Sequence, residues 1–169
     1  EDALLQQFAR QAGPDRVALI EGNRGLYDGM DDKGTFSTAE LAKMLHAPVV
    51  LVVNCAKVTR TVAAVVLGAQ QFDPQVPLAA VVLNNIAGSR HETTIRRAIE
   101  DRCGIPVLGA IPRLVRPPLT DRYMGVVPPE EDPAMLESLS WAINAVEQHA
   151  EWERLMDIAR NAPPLEMWK

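Results

Sequence analysis

Pro48-Val49-Val50-Leu51-Val52-Val53 decides the fold class of this chain. Four of its six residues are valine and none is polar. A strand with one wet face alternates apolar with polar residues, and this one does not. An unbroken, largely β-branched run predicts a strand buried on both faces, the habit of parallel sheets covered by helices on each side. Upstream, Ser37-Thr38-Ala39-Glu40 fits a capping box, with the Ser37 hydroxyl and the Glu40 side chain satisfying reciprocal backbone donors. It predicts a helix from Thr38 to about His46. Downstream, a helix is expected from about Arg60 to Phe72, closed by Asp73-Pro74.

The rhythm repeats in both directions. Leu78 to Leu83 reads as another buried strand, ending at Asn84-Asn85. His91 to Arg102 reads as a helix stopped by Gly104, and Ile105 to Ile111 as a strand ending at Pro112-Arg113. A proline-rich loop with Arg116-Pro117-Pro118 follows, then a short strand over Met124 to Val127. Pro133 to about Asp157 reads as one or two helices, and Asn161-Ala162-Pro163-Pro164 as the start of a linker. At the front, Asp2 to Ala12 carries a helical face of Leu4, Leu5, Phe8 and Ala12, ended by Gly13-Pro14. Val17-Ala18-Leu19-Ile20 reads as the first strand. Strands alternating with helices imply βαβ crossovers and a parallel, doubly wound, three-layer α/β sheet.

Bulk properties exclude several classes. A length of 169 residues suggests one domain, and 47% hydrophobic residues can supply a core. A net charge of −5 argues against a nucleic-acid surface. There is no run of 18 apolar residues to cross a membrane and no basic and apolar leader pattern, so a cytoplasmic setting is expected. Cys55 and Cys103 match no metal spacing and read as buried or reduced thiols.

The chemistry concentrates after the first expected strand, in Glu21-Gly22-Asn23-Arg24-Gly25-Leu26-Tyr27-Asp28-Gly29. Three glycines in these nine residues permit tight turning and close approach. At a strand's C-terminal end, where open α/β sheets bind ligands, Glu21 suits a Mg²⁺ ion held by one carboxylate plus phosphate oxygens. The same residue is equally an ordinary solvated strand end. Asp28, set between Tyr27 and Gly29, is a candidate to orient a metal or substrate group; Asp31 and Asp32 read as solvated. Asn84 offers a donor and an acceptor that match an adenine edge, and Pro112-Arg113 closes the neighbouring strand. Together they would form a base slot, although a turn asparagine and a strand-ending proline are common. Arg24, Arg60, Arg90, Arg113, Arg116 and Arg122 fall in loops or helix starts and suit a polyanion, though each alone is an ordinary surface residue. No Ser-His-Asp or Cys-His constellation is arguable from His46, His91 and His149. No G-x-x-x-x-G-K-[ST] phosphate loop occurs.

Glu21-Gly22-x-x-Gly25-Leu26-Tyr27-Asp28-Gly29 resembles the signature of the cobyrinic acid a,c-diamide synthases. So do Ser37-Thr38-Ala39-Glu40-Leu41-Ala42, Ala47 to Val53, Phe72-Asp73-Pro74, Val81-Val82-Leu83-Asn84, Gly104 to Arg113 and Arg122 to Pro128, in that order. The resemblance implies a P-loop amidation domain similar to dethiobiotin synthetase, truncated at its N-terminal strand. It implies residues 1–160 as part of that domain and 161–169 as the start of an interdomain linker. It implies an ATP- and glutamine-dependent ligase of cobalamin biosynthesis, which amidates the a and c carboxylates of a corrinoid precursor through an acyl phosphate. Cobyrinic acid, hydrogenobyrinic acid and nickel sirohydrochlorin are all substrates of similar enzymes.

By the same resemblance, Glu21 is the Mg²⁺ ligand and, with Asp28, a catalytic residue. Asn84, Pro112 and Arg113 flank the adenine of ATP. Gly25, Leu26, Tyr27 and Asp28 face the tetrapyrrole. The family's phosphate loop, which precedes the Glu-Gly motif, and its glutaminase domain are absent from this sequence. Family members often carry aspartate where Asn54 stands and histidine where Tyr123 stands. The isolated chain is therefore expected to be inactive, to bind ATP weakly and to pair an open edge; a homodimer is expected. Two other readings remain. One is a non-catalytic binding or regulatory module of the dethiobiotin-synthetase type. The other is a partitioning-type ATPase, which usually has an aspartate-based strand end and lacks the Leu-Tyr-Asp-Gly turn.

Overall fold

The computed structural model describes residues 2–12, 16–114 and 133–163. The expected strand at Met124–Val127, the proline-rich loop, Arg116, Arg122 and Tyr123 lie outside them. Three strands, β1 (Val49–Asn54), β2 (Leu78–Ile86) and β3 (Val107–Pro112), form a parallel sheet in the order β1-β2-β3. Six helices accompany them among the described residues: α1 (Asp2–Ala12), α2 (Thr38–Met44), α3 (Thr61–Phe72), α4 (Ser89–Cys103), α5 (Pro133–His149) and α6 (Trp152–Arg160). The expected alternation of strand and helix is present from α2 to β3, and the long C-terminal helical segment is two helices.

The core sits between the sheet and the α3–α4 layer. Val53, Val81, Leu83 and Val107 meet Val62, Val66, Ile95 and Ile99, with Cys55 and Cys103 buried among them as free thiols. At about 25 cal/mol per Å² of apolar surface, each such buried side chain stabilises the fold by roughly 1.5–3 kcal/mol. Burial pushes both thiols above their ordinary titration range. β3 is the most enclosed strand, with Val107 to Ile111 all buried. Among the described residues its other edge carries one antiparallel bridge, between Gly109 and Ala150, beside a bond from the Glu151 amide to the Leu108 carbonyl (2.8 Å). Gly109 lets the segments approach closely: a Cβ would lie 3.3 Å from the Val82 side chain and 3.4 Å from the His149 carbonyl oxygen. Arg96 ties the layers together. Its guanidinium donates to the Val107 carbonyl and pairs with Glu92 (3.1 Å) and Glu151 (3.3 Å).

Four expectations need correction. Val17–Ile20 is not a strand; Leu19 is 95% exposed and Val17 51%. A strand exists only through its ladder, and among the described residues nothing pairs with these four. Consequently Glu21 is not held at a strand end. β1 is not buried on both faces: Val53 is buried, but Val52, which points to the opposite face, is 63% exposed, so that face of the strand is uncovered by the described residues. β2 does not end at Asn84 but continues to Ile86, through a register shift after Leu83. Asn85 absorbs that shift with φ = 64°, a left-handed conformation that asparagine tolerates better than most residues. Finally, the capping box is offset. Ser37 Oγ accepts the Glu40 amide (3.3 Å), but the Glu40 carboxylate takes the Phe36 amide (2.6 Å). The Ser37 amide is already committed to the Gly34 carbonyl (2.9 Å).

Candidate functional site

The C-terminal ends of the three strands form one polar edge. Asn54 and Asn84 are register partners, and Ile86 pairs with Pro112. The Arg113 amide donates to the Ile86 carbonyl (2.8 Å). Asn84 and Pro112-Arg113 therefore stand on adjacent strands, with Asn84 two residues before the end of β2. The Asn84 amide oxygen accepts the Asn85 backbone N–H (2.9 Å), so its NH₂ group is the part left for a ligand. Asn54 Oδ1 accepts both the Ala56 amide and the Asn85 side-chain amide, each at 3.0 Å. The Cys55 amide donates to the Asn84 carbonyl (2.8 Å). His91, in the first turn of α4, spans the two following loops. Its Nδ1 accepts the Ala87 amide (3.1 Å) and its Nε2 donates to the Val58 carbonyl. Neither Asn54–Asn85 nor His91 stood out in the sequence. Asparagine and histidine at loop starts are common, and only the parallel pairing brings residues 31 positions apart into contact.

The glycine-rich segment folds as a compact loop that packs on the helices. Gly25 and Asp28 close a turn, with the Asp28 amide on the Gly25 carbonyl (3.0 Å). Glu21, Arg24, Gly25 and Asp28 are exposed, and Leu26 and Tyr27 are half-buried. The Tyr27 hydroxyl donates to the Ala69 carbonyl in the last turn of α3, where helical carbonyls lack full partners. Its ring lies 4.7 Å from that of Phe72. Burial, and then the nearby Asp73 carboxylate, push the Tyr27 phenol above its ordinary range, so it stays a donor.

Deeper in the loop, Gly29 has no room for a side chain. A Cβ would sit 2.3 Å from the Gly34 carbonyl carbon. Asp31, read from sequence as solvated, organises the loop. Its carboxylate accepts the Thr35 amide (2.9 Å), the Thr35 hydroxyl (2.7 Å) and the Lys33 amide (3.1 Å). The Thr35 bonds hold that carboxyl below its usual range.

The two halves of the candidate site stand at different ends of the sheet. α3 runs from the end of β1 back toward the start of β2, about 18 Å for 12 residues. Asn84, Pro112 and Arg113 are at its starting side; Tyr27 is fastened at its far end. Among the described residues no three His, Cys, Asp or Glu side chains gather as a metal cluster.

The chain is similar to a cobyrinate a,c-diamide synthase of Magnetococcus marinus, with 41% identity over 96% of this chain and 35% of that protein. It is similarly related to a cobyrinate a,c-diamide synthase of Archaeoglobus fulgidus, with 42% identity over 97% of this chain and 36% of the other. A hydrogenobyrinate a,c-diamide synthase of Thermobifida fusca is 37% identical over 96% of this chain and 34% of its own length. The chain thus spans about a third of the length of the curated relatives it matches. No solved structure matches it. Residues 2–118 match the family described as AAA domain, and with more than half its length covered, the chain belongs to that family.

Proposed function

We propose that this chain is part of an ATP- and glutamine-dependent ligase of cobalamin biosynthesis that amidates the a and c carboxylates of cobyrinic acid or a close relative. The observation that carries this reading is the 41–42% identity, across nearly the whole chain, to proteins named cobyrinate a,c-diamide synthase. The Glu21–Gly29 and Asn84 motifs support it, as does membership of the AAA-domain family, which favours nucleotide binding. Residues 1–160 are read as belonging to the amidation domain, with α6 ending at Arg160, and 161–169 as the start of a linker.

The chain's own residues suit the nucleotide in part. Asn84 and Pro112-Arg113 lie on neighbouring strands near their C-terminal ends, and the Asn84 NH₂ group is read as the donor to a purine edge. Glu21 is a single exposed carboxylate. Mg²⁺ takes one or two carboxylates together with phosphate oxygens; with Glu21 off any strand, its reading as the metal ligand rests on the Glu-Gly motif's resemblance. ATP, when bound, would supply the phosphoryl group that activates a substrate carboxylate as an acyl phosphate, and ammonia from glutamine would then form the amide with release of phosphate. Positioning and charge neutralisation dominate such chemistry. Asp28, exposed on its turn, is read as facing the macrocycle with Gly25 and Leu26, and Tyr27 as holding that turn in place.

The test is amidation by the full-length protein, with cobyrinic and hydrogenobyrinic acid as alternative substrates and ATP and glutamine supplied. Formation of the a,c-diamide that stops in Glu21→Gln is the expected result. Wild-type turnover in Glu21→Gln removes that residue from the metal site. Absence of product from either acid with the wild-type protein overturns the assignment.

A further inference from the structure

We propose that Tyr27 and the Lys43–Asp73 ion pair act as positioning residues that fasten the Gly25–Gly29 turn to the end of α3 and hold it in shape before any ligand arrives. The proposal rests on reading that turn as the substrate-facing element.

The loop is secured from two sides at one place. In front, the Tyr27 hydroxyl bonds the Ala69 carbonyl, and its ring packs on Phe72 with the planes at 49°. Behind, α2 follows the loop directly, and its Lys43 ammonium binds the Asp73 carboxylate at 2.5 Å. Asp73 is the residue that ends α3, next to Phe72. Its carboxylate also accepts the Gln75 amide (3.0 Å), which fixes it in turn. The pair is mostly shielded, with 32% and 24% of the two side chains exposed. Both ends of the segment 27–43 are therefore anchored within one helical turn, Ala69 to Asp73.

Between the anchors, the Met30 amide bonds the Thr35 carbonyl (2.8 Å) and the Ala39 amide the Leu26 carbonyl (2.9 Å). None of this uses the side chain of Asp28 or Arg24, which stay at the surface. A loop ordered in advance loses less conformational freedom when it binds, and it places its outward groups more accurately. Tyr27 thus serves the turn from inside, through Asp28 and the glycines.

The test is amide hydrogen exchange on the ligand-free full-length protein, read at Asp28, Met30 and Ala39. Val81, whose amide bonds the Pro106 carbonyl within the core, is the internal reference. Tyr27→Phe keeps the ring and loses the donor. It is expected to speed exchange at the three loop amides about tenfold and to leave the reference unchanged. Lys43→Asp and Asp73→Lys should do the same singly, and the double exchange Lys43→Asp/Asp73→Lys should restore protection. In the amidation assay, Tyr27→Phe should raise KM for the corrinoid acid while kcat holds. Unchanged exchange in Tyr27→Phe and in both charge reversals overturns the clamp. Faster exchange with an unchanged KM keeps the clamp and overturns the assignment of this turn to the substrate.

Discussion

Gly29 and Asp31 show how far a single residue's meaning depends on what folds around it. In the sequence, Gly29 is one of several glycines; in the loop it is the position where backbone segments touch. Gly29→Ala would drive a methyl group into the Gly34–Thr35 backbone and should destabilise the protein by about 1–3 kcal/mol, the usual range for overpacking. Gly68→Ala is the contrasting case. Gly68 lies inside α3 with nothing within 4 Å of its added Cβ, so alanine should stabilise by about 0.5–1 kcal/mol. Urea titration of both variants checks the pair. Asp31 was legible only as an acidic loop residue, because its partners, Lys33 and Thr35, are recruited by the turn itself.

At the scale of elements, the helices were read better than the strands. Gly104 stops α4 in a left-handed conformation at φ = 66°, and Ser37 caps α2; both are local signals, legible without knowing the fold. What joins the elements was not legible. Arg96 is one of several arginines on a charged helix, yet it binds the carbonyl that begins β3 and the carboxylate that begins α6. Arg96→Met should lower unfolding stability by about 1–3 kcal/mol, with an unchanged urea m-value, since it strips a carbonyl and a carboxylate of their donor. Lysine at the same place should recover only part of the loss, because one ammonium cannot reproduce the guanidinium fork. No loss in Arg96→Met would remove this residue as the joint between layers.

Across the whole molecule, the sheet is protected unevenly. β3 has β2 on one edge and the Ala150–Glu151 segment on the other. The outer edge of β1 has no partner among the described residues, and Val17, Leu19 and Val52 are exposed on the same molecule. Unpaired apolar edges recruit other strands. The 169-residue chain should therefore associate with rising concentration in sedimentation experiments, and Val52→Lys should weaken that association by placing a charge beside the open edge. A monomer at every concentration would show that the edge is protected in some other way.

By itself the sequence determined the α/β class, the order of the elements from α2 to β3, and the placing of Asn84 and Pro112-Arg113 on two of its strands. These follow from short-range periodicity, capping and the rule that parallel strands align their C-terminal ends. The tertiary structure alone decided which apolar run becomes a strand, because a strand requires a neighbour and Val17–Ile20 has none among the described residues. It also decided that Tyr27 turns inward onto α3, that Asn54 meets Asn85, and that Glu21 does not close a strand. Each is a contact between residues distant in sequence, or the lack of one, and no local pattern encodes it.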